Sequence, residues 1–278
     1  MQNIKFINKD TSNPIFFSTL RSRVEDYFRE NNISKHYNAE MVLKTILLLS
    51  GYILPFVLIL LFKFPQPINY LLWLFMGFSK SGIGMSIMHD ANHGSYSKSR
   101  KVNYWLGHTL NMVGGSVFNW KLQHNILHHT YTNIIHMDDD IEDKLVLRFS
   151  NHTQAKWYHK FQFVYAFLFY GILTIYWALI KDFVLYRKYI ITGVNKQSKR
   201  ENLGTLWKII LSKIIYLSVF LFIPIMFFDV QPIHHILGFL LMHFVAGILL
   251  TIIFQLAHTV ENTSQPLPNN EGNIENNW

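Results

Sequence analysis

The chain has no cysteine among its 278 residues. Disulfides, iron–sulfur clusters and zinc–thiolate sites are therefore excluded as intrinsic features, and any metal must be held by nitrogen and oxygen ligands, which suits iron, copper, zinc or manganese. Charge is also scarce, at 15% of residues, whereas 50% are hydrophobic and 16% aromatic. A soluble domain of this length needs no such excess, and long apolar runs place the chain among integral membrane proteins. No apolar stretch follows a basic start, so no cleavable signal peptide is read. No internal repeat and no separate soluble domain is found. The net charge of +8 comes from basic residues beside apolar runs. Basic residues there set topology and touch lipid headgroups, so no nucleic-acid partner is expected.

What the chain does have is histidine. Residues 120–140, WKLQHNILHHTYTNIIHMDDD, hold four, with His124, His128 and His129 inside six residues. On a helix His124 and His128 fall one turn apart on one face and His129 lies about 100° round. Imidazoles that diverge in this way suit two neighbouring ions better than one. A second group, HDANHGS at residues 89–95, repeats the i,i+4 pair with His89 and His93. His258 follows the last apolar run. The competing reading of each histidine is a hydrogen-bonded structural residue; two tight groups beside apolar runs argue against it. Asp90, Asn92, Asn125 and Asn133 are placed to fix imidazole tautomers. Asp138 and Asp140 either do the same or belong to a solvated acidic loop. His243, alone in an apolar run, is read as a packed polar residue. The protease motif H-E-x-x-H is absent.

The fold class expected is an all-α integral membrane protein with four transmembrane helices in two hairpins. The spans are residues 41–62, 68–88, 206–228 and 236–255, inside a membrane domain of residues 41–260. Residues 1–40 form a cytoplasmic segment with a short surface helix at 15–28. Residues 102–118 and 161–180 lie in the interface, and 261–278 form a polar tail. Parity supports the count: if both histidine groups and His258 serve one site, an even number of spans must separate them. The two turns on the opposite side carry Lys63 as their one basic residue, while residues 181–201 hold Lys181, Arg187, Lys188, Lys196, Lys199 and Arg200. The histidines are therefore expected to face the cytoplasm.

HDANHGS (residues 89–95), WKLQHNILHHTYTN (120–133) and FQLAH (254–258) resemble the membrane fatty acid desaturase family, in its bacterial acyl-lipid or acyl-CoA branch. The resemblance covers most of the chain from the first span onward. It implies two non-haem iron ions with O2 as co-substrate and two electrons, removing two hydrogens from a fatty acyl chain on CoA or lipid. It carries over His89, His93, His124, His128, His129 and His258 as iron ligands, with Asp90 and Asn125 near the metal. It also implies a separate, ferredoxin-like electron donor and a bacterial inner membrane. His136 departs from the family pattern, which usually has a glycine there; it is read as a surface residue. The family's third box, of the Q-x-x-H-H kind, is not reached before Trp278, so a fragment of a longer product is expected, or else a degenerate homologue. Two other readings share these residues: an acyl or carotenoid hydroxylase on the same scaffold, and a non-catalytic homologue.

Overall fold

A computed structural model describes residues 4–7, 16–143 and 146–274. Helices dominate. After an amphipathic surface helix, α1 (Phe16–Glu30), come α2 (Ala39–Leu61) and α3 (Gln66–Asn92), an antiparallel hairpin. Asn38 opens α2 by accepting the Met41 N–H, at 2.9 Å, which satisfies one of the orphan donors of a helix start. Two short helices, α4 (Arg100–Gly107) and α5 (Thr109–Met112), cover the region expected in the interface. Each is far too short to cross a bilayer. Helix α6 (Val117–Trp120) runs directly into a π-helical stretch, Lys121–His128. Three long helices complete the bundle: α7 (Trp157–Ile191), α8 (Lys199–Phe227) and α9 (Pro232–His258). Ser198 and Glu201 form a reciprocal capping box at the start of α8.

Among the described residues five helices are long and apolar enough to cross a membrane: α2, α3, α7, α8 and α9. The chain is thus a mostly helical membrane protein of the all-α class. Residues 161–180, expected to lie in the interface, are the first part of α7, which meets the same criteria as the four helices expected to span. The basic stretch begins inside this helix, because Lys181 to Ile191 continue it without a break.

The bundle core is aromatic and sulfur-rich, with Tyr52, Trp73, Met76, Met88, Phe239 and Met242 almost wholly buried. α7 and α9 approach closely at Gly247, where an added Cβ would lie 2.4 Å from the Tyr170 carbonyl oxygen. A small residue is what permits this backbone-to-backbone contact. Polar side chains are buried as well. The Lys80 ammonium donates to Tyr216 Oη at 2.9 Å and lies 3.2 Å from the ring of His243, which Thr174 and Tyr216 also contact. His243 is thus the packed polar residue expected.

The polar tail is folded back over the histidine-bearing loop. Ile135 N–H donates to the Pro266 carbonyl, and Gln265 Nε2 to that of Phe149. Two short strands, β1 (Lys5–Phe6) and β2 (Asn273–Ile274), pair in parallel, and Ile274 is buried against Leu122, Leu127 and Tyr189. Burial of that one apolar side chain gives the tail a reason to dock.

Candidate metal centre

Two π-helical segments deliver the histidines. In α3 the π turn Ile83–Ile87 precedes His89, and the π-helical Lys121–His128 carries His124 and His128. Such turns shift the register of a helix and are common at functional sites. His89 thus lies inside the last turns of α3, and His258 is the final residue of α9. All six histidines singled out in the sequence come together at this end of the bundle.

Their geometry is close. His89 Nε2 and His124 Nε2 are 3.1 Å apart, and His129 Nε2 and His93 Nε2 are 3.3 Å apart. The His124 and His128 rings stack at 5.0 Å, and the His258 ring stands edge-on to His128 at 4.8 Å. Two nitrogens bound to one metal at about 2.0–2.1 Å, at 90–109°, lie about 2.9–3.4 Å apart. The imidazole pairs therefore already have the spacing of adjacent corners of a coordination polyhedron. Three overlapping groups have ligand atoms within 4.8 Å of one another: His89, His93 and His124; His124, His128 and Asp140; His128, Asp138 and His258. Trp120, buried, stacks on His124 at 4.5 Å and presents its plane near His89 and His93.

The outward nitrogens are tied down. His89 Nδ1 lies 3.2 Å from Asp90 Oδ1, His128 Nδ1 3.1 Å from Asp138 Oδ1, and His258 Nδ1 3.1 Å from Asn133 Oδ1. Each oxygen accepts an Nδ1–H, which leaves the Nε2 lone pair directed into the cluster. Asp138 is fully buried and also accepts backbone N–H groups from Asn133 and Asp140. The solvated-loop reading of this residue is therefore incorrect. Its acidic neighbours are held inward by hydrogen bonds the sequence does not display: Asp139 accepts from Lys188 Nζ at 2.5 Å and from Tyr189 Oη at 2.9 Å. Asn125 and Asn92 sit elsewhere than expected. Asn125 Nδ2 donates to the Asn92 carbonyl, and Asn92 Nδ2 to that of Gly107. They brace α3 against the second histidine segment and α4. His136 points away, its side chain 78% exposed and 3.4 Å from Glu142.

Protonation follows from this packing. Burial, together with the charge of His128, His89 and their neighbours, presses His124 down to about 2. Burial and the nearby His89 and His129 press His93 down to about 4. Both rings are neutral at pH 7, the form that binds metals. At His128 burial also disfavours the cation, but the bond to Asp138 and the charges of Asp138 and Asp140 outweigh it and raise the group. Asp138 is lowered in turn, because His128 and two backbone N–H groups outweigh its burial.

Comparison with known proteins gives this arrangement a family. An acyl-lipid (8-3)-desaturase of Physcomitrium patens is 31% identical over 97% of this chain and 56% of its own length. The chain thus spans little more than half of that relative. The sn-1 linoleoyl-lipid 6-desaturase of Arthrospira platensis is 31% identical over 95% of this chain and 70% of its own, and that of Synechocystis is 28% identical over the whole chain and 76% of its own. No solved structure matches. The profile described as fatty acid desaturase matches residues 65–278, which include every histidine of the cluster. The chain belongs to the fatty acid desaturase family.

Proposed function

We propose that this protein is a fatty acyl desaturase acting on lipid-borne acyl chains, and that His89, His93, His124, His128, His129 and His258 hold two non-haem iron ions. The observation that carries this reading is the pair of Nε2–Nε2 spacings of 3.1 and 3.3 Å, within a cluster whose Nδ1 atoms are tied to Asp90, Asp138 and Asn133. The row of three overlapping ligand groups suits more than one ion. Bound iron, with O2 and two electrons, supplies the oxidising power to take two hydrogens from an unactivated methylene pair, which no side chain provides. The names of the relatives support lipid as the acyl carrier. The electron donor is a separate, ferredoxin-like protein.

The chain's own residues position and protect. Asp90, Asp138 and Asn133 hold their imidazoles in one tautomer and one orientation. Trp120 covers His124 and keeps water from that face. A narrow slot begins beside the centre at Met88 and Phe254 and descends past Gly84 and Leu250 to Lys80 and Thr174. Its upper walls are apolar, but its volume of about 20 Å³ has room for little more than a water molecule, so no acyl channel is assigned to it.

The metal site faces the cytoplasm, reached by four spans. Parity supports the count of four, and the basic residues 181–201 support the cytoplasmic side. Three long helices, α7, α8 and α9, separate His129 from His258, yet His258 stands against His128. An odd number of crossings would put them on opposite sides, so one of the three does not cross. α7 is the candidate: Gln162 and Tyr165 near its start bond to Arg148 and Val146, and Lys188 and Tyr189 near its end bond to Asp139. One short polar segment thus reaches both ends of this helix.

The test is expression in a host that lacks the product, with its lipids analysed by gas chromatography and mass spectrometry. New double bonds should appear and should vanish in His89→Ala and His128→Ala. A hydroxylated acyl chain with no new double bond would overturn the reaction, and activity retained in both variants would overturn the ligand assignment.

A further inference from the structure

His258 stands apart from the other five candidate ligands. His89 and His93 come at the end of α3, and His124, His128 and His129 share the segment after α6, whereas His258 alone comes from α9. Its ring nevertheless stands edge-on to His128 at 4.8 Å. His128, Asp138 and His258 offer ligand atoms within 4.8 Å of one another. One tie between α9 and the loop that carries Asp138 is made by the ligand itself, from His258 Nδ1–H to Asn133 Oδ1. A second tie, independent of the ligand, comes from Gln255.

Gln255 precedes His258 by three residues. About 300° of turn and about 4.5 Å of rise therefore bring the two side chains to one face of α9. Gln255 Nε2 donates to the Asp140 carbonyl at 3.1 Å. The Asp140 N–H in turn donates to Asp138 Oδ1 at 3.0 Å, and the same oxygen accepts from His128 Nδ1 at 3.1 Å. One hydrogen-bonded chain thus runs from α9 through Asp140 and Asp138 to His128.

Gln123 closes this chain from the other side. It is buried, adjoins His124, and donates from Nε2 to Asp140 Oδ1 at 2.9 Å. The second carboxylate oxygen of Asp140 is left 3.4 Å from His128 Nδ1. Asp140 is therefore clamped at its carboxylate by the histidine segment and at its carbonyl by α9. An amide suits both places, because it donates without adding a charge beside the imidazoles. The His89 end of the cluster is held differently, by Asp90 next to it in sequence.

We infer that Gln255 is a positioning residue for one of the two iron ions, the one at the His128 and His258 end of the row. It joins α9 to Asp140 and so sets His258 against His128. The inference rests on the two-iron reading above and adds that the two ions depend on different supports.

Titration of the full chain in detergent with ferrous iron, competed by a chromophoric chelator, tests it. The wild type should bind two ions. Gln255→Met, which keeps the length of the side chain but has no donor, should lower the affinity for one ion about tenfold to a hundredfold and leave the other unchanged. Gln255→Glu, which has no donor when ionised, should do the same and serves should the first variant fail to fold. Added to His258→Ala, Gln255→Met should lower the affinity for the remaining ion no further; added to His89→Ala, it should have its full effect. Gln265→Ala, which removes the bond from the tail to the Phe149 carbonyl, should leave both affinities unchanged. Unchanged affinity for both ions in every folded Gln255 variant would overturn the inference and leave the two-iron reading standing. An equal loss at both ions, or the same loss in Gln265→Ala, would make the contact a general support of the loop and would overturn it as well. A wild type that binds no iron would overturn the two-iron reading, and this inference with it.

Discussion

At the scale of single residues, the histidines were legible because their chemistry and spacing are written locally, at i,i+4 and i,i+5. Their supports were only partly so. Asp90 adjoins its histidine in sequence, whereas Asp138 reaches His128 across ten residues through a run of turns, and the same letters could have spelled a solvated loop. Asp138→Asn keeps the shape and removes the charge that orients His128. Iron affinity, measured by competition with a chelator, should fall about tenfold to a hundredfold; unchanged affinity would mean that Asp138 serves only the loop. His136 shows the opposite relation between letter and place. Its φ of 67° lies in the left-handed region, where a glycine carries no Cβ penalty. This gives the glycine of the family pattern a backbone reason, and the exposed ring contributes nothing to the cluster. His136→Gly should therefore stabilise the folded chain by about 0.5–1 kcal/mol, seen as a higher thermal midpoint with iron content unchanged. A loss of iron would reverse the assignment of His136 as a surface residue.

At the scale of elements, hydropathy placed α2, α3 and α9 to within four residues, began α8 seven residues late and ended α7 eleven residues early, and could not say how the helices hold one another. α7 and α8 are joined by a buried ion pair that no periodicity announces. Lys213 Nζ contacts Asp182 and donates to the carbonyls of Gly114 and Trp177, while Asn119 Nδ2 donates to Asp182. The carboxylate is fully buried and the lysine side chain 7% exposed. In sequence Lys213 is merely one lysine in an apolar run, and its partner is 31 residues away. Such a pair contributes little net stability against a well-packed apolar pair, but breaking it strands a charge. Lys213→Met should cost about 3–5 kcal/mol, read as a large drop in the thermal midpoint in detergent. Adding Asp182→Asn to that variant should recover part of the loss, because the stranded charge is gone while the bond from Asn119 can persist. No recovery would place the cost in packing around the lysine stem.

For the whole molecule, the question is how many helices cross, and here composition and geometry pull apart. By length and hydropathy α7 is as good a span as α2 or α9; the four-span proposal rests instead on the company its ends keep. Sequence reading reached four spans through parity, from the assumption that distant histidines share a site. Their convergence, with His258 against His128, supplies that premise. The absence of cysteine makes a direct test clean, since every introduced thiol is the only one present. Four spans put Lys63 and Asp229 on one face, joined across the two hairpin turns, and put His152, Lys196 and the Gln265 segment on the other. His152 and Gln265 are already hydrogen-bonded to each other at 2.7 Å. Lys63→Cys and Asp229→Cys should react with a membrane-impermeant maleimide in intact cells, and His152→Cys and Lys196→Cys only after the cells are opened. Because Lys196 follows α7 and His152 precedes it, the pair brackets that helix. Labelling of His152→Cys and Lys196→Cys from opposite sides would make α7 a span and would overturn the four-span reading.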